Sequence, residues 1–272
     1  MKKKIFRWSK VLILLYCVVG IIVYYGQDRL IFHPQAVAKS TQYHFGQAFR
    51  ELNLAYDAGS NLNIIQFNAN LPPADSLPKG VVLYFHGNSE TIAGCAPIAG
   101  QFTGKGYEIW MIDYPGYGKS TGPLTEQRLY DYALILYKLA RTHYQPGNII
   151  LYGRSIGTGV AAQLASVRDC RRLILESPYF SMTSLARHYL PIYPMGKMLH
   201  YRFPINEYLS TVTAPVTIFH GSNDRLIPYS NAVRLQPLLK PGDTFITIPG
   251  SVHNELGRSS FFREQLDSIL SQ

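Results

Sequence analysis

The chain has 272 residues, 47% of them hydrophobic, enough for one sizeable core with or without a membrane segment. Its net charge of +9 is concentrated at one end, because Lys2, Lys3, Lys4, Arg7 and Lys10 supply five positive charges and leave +4 for the rest. So mild and dispersed a remainder argues against a nucleic-acid-binding surface.

Residues 11–27 form an uncharged run of 17 residues, mostly Val, Ile, Leu and Tyr. At about 1.5 Å per residue the run spans about 25 Å, slightly short of a bilayer core of about 30 Å. Trp8 on one side and Tyr24 and Tyr25 on the other suit the membrane interfaces, and Lys10 can snorkel. The run ends Tyr24-Tyr25-Gly26-Gln27, which offers no small-residue cleavage site. That favours an uncleaved anchor over a signal peptide, with a buried core helix as a third reading. Residues 1–10 are then a basic cytoplasmic flank, 11–27 a transmembrane anchor and 28–272 the folded domain. Beyond the run, Arg29, Lys39 and Arg50 face Asp28 and Glu51. The asymmetry keeps the amino terminus in the cytoplasm and places the domain outside, which in a bacterium is the periplasmic side of the inner membrane.

Two strand-like runs follow, at residues 49–56 and 62–67, around a turn-forming Asp57-Ala58-Gly59-Ser60-Asn61, and predict a hairpin. Residues 71–80 are a Pro-rich connection. The pattern then alternates. Strands are expected at 81–85, 107–112, 148–152, 173–175, 216–220 and 244–248. Helices are expected at 92–103, after the N-cap candidate Thr125, at 156–167, at 231–239 and near the carboxyl end. Alternation of this kind predicts βαβ units and a parallel sheet, with the hairpin adding antiparallel strands at one edge. Residues 181–213 are too long for an ordinary connection and read as a cap of one or two helices. Of the three cysteines, Cys17 lies in the apolar run. Cys95 and Cys170 fall on opposite rims of the expected sheet, which argues against a disulfide between them.

Gly153-Arg154-Ser155-Ile156-Gly157 sits at the strand-to-helix junction. A G-x-S-x-G motif in that context is a nucleophile elbow that lifts the serine out of the backbone. Serine is a poor nucleophile unless a base touches it, a third group orients the base and donors await the oxyanion. Asp224 and His253 each follow their own strand, and the order Ser155, Asp224, His253 suits such a triad. The Ile156 N–H and an N–H after the first parallel strand, assigned to Asn88, supply the oxyanion hole. Glu176 is the rival acid, and His86 and His220 are expected to be structural.

The strings Tyr84-Phe85-His86-Gly87-Asn88, Asp113-Tyr114-Pro115-Gly116-Tyr117-Gly118, Gly153-Arg154-Ser155-Ile156-Gly157, His220-Gly221-Ser222-Asn223-Asp224 and Gly250-Ser251-Val252-His253 resemble the α/β-hydrolase superfamily. They look most like its membrane-anchored, small-lid serine hydrolases, which include depalmitoylase-like and lysophospholipase-like members. The resemblance implies an α/β-hydrolase fold, with a mostly parallel eight-stranded sheet flanked by helices, and hydrolysis of esters or thioesters through an acyl-serine without metal or cofactor. Ile156 and Thr158 are mild departures that bear on the pocket floor. A small-molecule ester or an acyl lipid is the expected substrate. A peptidase or amidase on the same triad is the alternative, and a membrane-tethered binding protein is an alternative of another class.

Overall fold

The computed structural model describes residues 2–71 and 77–271. Residues 72–76, half of the expected Pro-rich connection at 71–80, lie outside the described residues. Eight strands form one sheet in the order β1-β2-β4-β3-β5-β6-β7-β8. They are β1 (Phe49–Asp57), β2 (Ser60–Phe67), β3 (Gly80–Phe85), β4 (Tyr107–Ile112), β5 (Ile149–Arg154), β6 (Arg172–Glu176), β7 (Val216–Gly221) and β8 (Thr244–Ile248). β1 and β2 pair antiparallel, β2 pairs antiparallel with β4, and the neighbours from β4 through β8 are parallel.

The strand sequences explain this order. β3 reads Gly-Val-Val-Leu-Tyr-Phe and is buried throughout, as a central strand covered on both faces must be. Successive side chains feed opposite layers. Leu83, Phe85 and Leu151 pack under the helices Glu126–Ala140 and Gly157–Val167, while Val82, Tyr84 and Tyr152 join Phe102, Phe262 and Leu266 on the other face. The edge strand β1 is half exposed. Thr125 caps its helix as the sequence indicates, its hydroxyl accepting the Arg128 N–H at 3.1 Å.

Three expectations need correction. The helix expected at 92–103 is broken into Ile92–Cys95, a 3₁₀ turn Ala96–Ile98 and Ala99–Thr103, because Pro97 has no N–H to continue the ladder. The helix expected at 231–239 is a single α turn, Tyr229–Ala232, followed by 3₁₀ geometry around Pro237. The cap holds three short helices, Met182–Tyr189, Met195–Met198 and Ile205–Tyr208, rather than one or two. The amino-terminal helix, Lys2–Ile31, contains the whole apolar run at 11–27. It is long and apolar enough to cross a membrane, with a mean hydropathy of 2.0 in its most apolar window.

Candidate functional site

The elbow begins with a close approach of backbones. A Cβ on Gly153 would stand 2.4 Å from the Gly157 carbonyl oxygen, and one on Gly157 would stand 2.1 Å from that of Phe85. Only glycine allows the turn to pack so tightly against β3. Ser155 itself has φ +51°, the left-handed region that costs an L-residue free energy. Its N–H donates to the Glu176 carbonyl at 2.9 Å, and the Thr158 hydroxyl donates to its carbonyl at 2.5 Å. Thr158 therefore braces the elbow from below. Ile156 does reach the cavity above it.

The fold brings Ser155, Asp224 and His253 together from three strand ends. His253 Nε2 lies 2.9 Å from Ser155 Oγ, and Nδ1 lies 2.7 Å from Asp224 Oδ2. The other carboxylate oxygen of Asp224 accepts the Leu226 and Ile227 N–H groups at 2.9 and 2.8 Å, which fixes its plane. All three side chains are buried. Glu176 is also buried, but it is held by the Tyr152 hydroxyl and the Arg154 guanidinium and not by His253. Burial raises its pKa, against the opposing charge of Arg154.

The Ile156 and Asn88 N–H groups donate to no other atom among the described residues, and both residues line the cavity with Ser155. The Asn88 loop is held from three sides. The Tyr117 hydroxyl donates to the Asn88 carbonyl at 2.6 Å, the His33 N–H donates to the same oxygen at 3.2 Å, and Asn88 Nδ2 donates to the Ile31 carbonyl at 3.0 Å. His86 lies fully buried, its Nδ1 2.7 Å from the Gly87 carbonyl, and burial lowers its pKa to about 4. Its Nε2 is 3.6 Å from Asp113, whose carboxyl is raised to about 7 by burial while it accepts the Ile92 N–H. His220 Nε2 faces the Ile227 carbonyl at 2.9 Å, and its pKa is lowered by burial. Both histidines sit as loop supports.

Sequence reasoning passed over two features. Arg154, inside the elbow motif, pairs with Glu90, and Glu90 also accepts the Gly87 N–H at 3.1 Å. One guanidinium thus ties the elbow to the loop carrying Asn88. Nothing in a sequence signals a pair 64 residues apart. The other feature is the cavity wall. Leu30 and Ile31 from the last turn of the amino-terminal helix face Met182, Leu185 and Tyr189 of the first cap helix across a cavity of about 690 Å³ including its mouth. Its lining is apolar save for Ser155, Asn88 and two tyrosines. The apolar Leu30-Ile31-Phe32 immediately after Asp28-Arg29 was the available signal. Cys95 and Cys170 are free thiols, the first buried and the second half-buried.

Such a site can activate a serine hydroxyl beside an apolar slot. Residues 76–207 match the family model described as serine aminopeptidase, S33. Alpha/beta hydrolase domain-containing protein 17C of Xenopus tropicalis is 32% identical over 195 residues, 70% of this chain and 61% of that protein. The human protein of the same name is 31% identical, with 57% of its length covered. The match thus spans about three-fifths of these curated relatives. An uncharacterised Mycobacterium tuberculosis protein is 27% identical over 231 residues, 84% of this chain and 81% of that one. Among solved structures, a Pyrococcus furiosus esterase superposes with a TM-score of 0.66 at 16% identity, covering 89% of this chain and 96% of that one. A Vibrio vulnificus alpha-beta hydrolase gives 0.66 at 21% identity, covering 82% and 80%.

Proposed function

We propose that this chain, which has the α/β-hydrolase fold, is a membrane-anchored serine hydrolase cleaving carboxylic esters or thioesters of apolar acyl groups. The observation that carries the reading is the continuous contact from Ser155 Oγ to His253 at 2.9 Å and from His253 to Asp224 at 2.7 Å. In the first step His253 Nε2 takes the Ser155 proton as Oγ attacks the acyl carbonyl carbon. Asp224 holds the imidazole and stabilises its cation. The Ile156 and Asn88 N–H groups receive the oxyanion. Collapse of the tetrahedral adduct expels the alcohol or thiol, which takes the proton from His253. Water, deprotonated by His253, then attacks the acyl-serine and releases the acid. No step needs a metal or cofactor.

The description of the matching family as serine aminopeptidase favours a second reading, peptide hydrolysis. A peptide amino terminus calls for a carboxylate in the pocket, and the residues lining this one include no Asp or Glu. The ester reading is preferred on that ground. A tethered binding protein has no use for the aligned Ser155, His253 and Asp224.

Five positive charges before the apolar run support an amino terminus in the cytoplasm and a catalytic domain outside. Purified Ser155→Ala is expected to lose fluorophosphonate labelling and several orders of magnitude in p-nitrophenyl ester hydrolysis. Near-normal labelling and turnover in that variant would overturn the reading. Wild type should prefer medium or long acyl chains, and a strict preference for acetyl would remove the acyl-lipid part of it.

A further inference from the structure

The amino-terminal helix does not stand clear of the catalytic domain. Tyr16, Gly20, Val23 and Gln27 recur at spacings of four, three and four, so they share one face. That face lies on cap residues 192–200. The Tyr16 and Tyr193 rings stack at 4.6 Å, and the Tyr193 hydroxyl donates to the Tyr16 carbonyl at 2.9 Å. A Cβ on Gly20 would come within 3.2 Å of the Tyr193 ring. The Gln27 amide donates to the Met198 carbonyl at 3.2 Å and accepts the His200 N–H at 2.7 Å. The other faces leave Leu12, Ile13, Ile21 and Ile22 exposed.

Length now decides where the cap sits. Lys10 is the last charge before the apolar run, and only the five residues 11–15 precede the first cap contact. They rise about 7.5 Å. Even counted from Lys2, residues 2–15 reach only about 21 Å, against a hydrocarbon thickness of about 30 Å. On either count, a helix that crosses the bilayer carries its docked face into the hydrocarbon rather than clear of it, and the cap held to that face goes with it. The cap surface suits this. Ile192 is 70% exposed, and Tyr189 is 51% exposed beside Leu226 at 50% at the cavity mouth. Arg187 and Lys197 flank them, exposed, within a side chain's reach of lipid phosphates.

We infer that cap residues 190–200 are inserted in the leaflet beside the anchor, and that the cavity opens between the anchor's last turn and the first cap helix toward the acyl chains. The substrate is then a bilayer-resident acyl ester that enters sideways from the lipid. The inference rests on the anchored serine-hydrolase reading and deepens it.

The test uses the full chain in phosphatidylethanolamine–phosphatidylglycerol vesicles whose acyl chains carry doxyl quenchers. A fluorescent thiol probe is placed in turn at native Cys17, at Ile192→Cys and at Arg168→Cys, with the other accessible cysteines changed to serine. Arg168 is exposed at the carboxyl end of the elbow helix, away from Ser155. Quenching at Cys17 and Ile192→Cys but not at Arg168→Cys is the expected result. Quenching at Cys17 with none at Ile192→Cys overturns the inference and leaves the anchor standing, whereas no quenching at either overturns both. In a parallel assay, Ile192→Asp should hydrolyse p-nitrophenyl butyrate in solution at the wild-type rate. It should lose about tenfold or more on a long-chain acyl ester embedded in vesicles, as a carboxylate resists entry into hydrocarbon. Equal activity on the embedded ester overturns sideways entry. Failure on p-nitrophenyl butyrate by wild type itself would instead sink the hydrolase reading.

Discussion

Replacing Ser155 by glycine and by alanine separates the chemical from the conformational role of that position. Ser155 is held at φ +51°. An L-residue there bears about 1–2 kcal/mol of steric cost that glycine does not. Glycine loses about 0.5–1 kcal/mol more than alanine in backbone freedom on folding. Both variants lack the hydroxyl that meets His253, so that loss cancels between them. Ser155→Gly should therefore be more stable than Ser155→Ala by about 1 kcal/mol. For a domain of this size the difference corresponds to about 2–4 °C in Tm. Differential scanning fluorimetry of the two detergent-solubilised variants reads it directly, and neither should hydrolyse ester. If Ser155→Gly melted at or below Ser155→Ala, the elbow would not be a strained turn and the account of its geometry would fail.

Two further outcomes follow from neighbouring contacts. Gly157→Ala places a methyl 2.1 Å from the Phe85 carbonyl oxygen, so the elbow and the β3 end must part by about an ångström. Such a displacement should lower kcat by about 10²-fold, and steady-state kinetics with a Tm measurement would show whether the fold survives it. The His86–Asp113 pair makes a signed pH prediction. His86, lowered to about 4, destabilises the fold as pH falls from 6.5 toward 4, because only the unfolded chain takes up the proton there. Asp113, raised to about 7, does the opposite between pH 7 and 3.8, because the folded state holds the proton. Asp113→Asn removes the second contribution alone. Its Tm deficit relative to wild type should widen as pH drops from 7 to 4, and a constant deficit would contradict the assignment.

Much of the sheet was readable because its strands are buried on both faces and so read as largely apolar runs, β3 above all. Ser155, Asp224 and His253 were readable for a different reason. Each sits just past a strand, where topology delivers it to one rim without any need to know side-chain positions. Contacts between distant segments left no such trace. Glu90 and Arg154 look like ordinary surface charges until the loop and elbow are folded together. Gln27 looked like the polar end of a hydrophobic run, and only the cap backbone at Met198 and His200 reveals it as a docking residue. The helix breaks at Pro97 and Pro237 were visible as prolines inside the expected helices at 92–103 and 231–239.

Asn88 joins two jobs in one residue. Its side chain grips the Ile31 carbonyl, while its backbone N–H donates to no other atom among the described residues and the residue lines the cavity with Ser155. On the proposed function, the segment that anchors the protein thereby also braces the loop that receives the oxyanion. A swapped-in foreign tail that preserved location but not the Ile31 register would leave the proposed oxyanion loop unbraced, so the proposed anchor is not an exchangeable tag. Tension or tilt imposed on the helix by a thicker or thinner bilayer would be felt one hydrogen bond away from the reacting carbonyl.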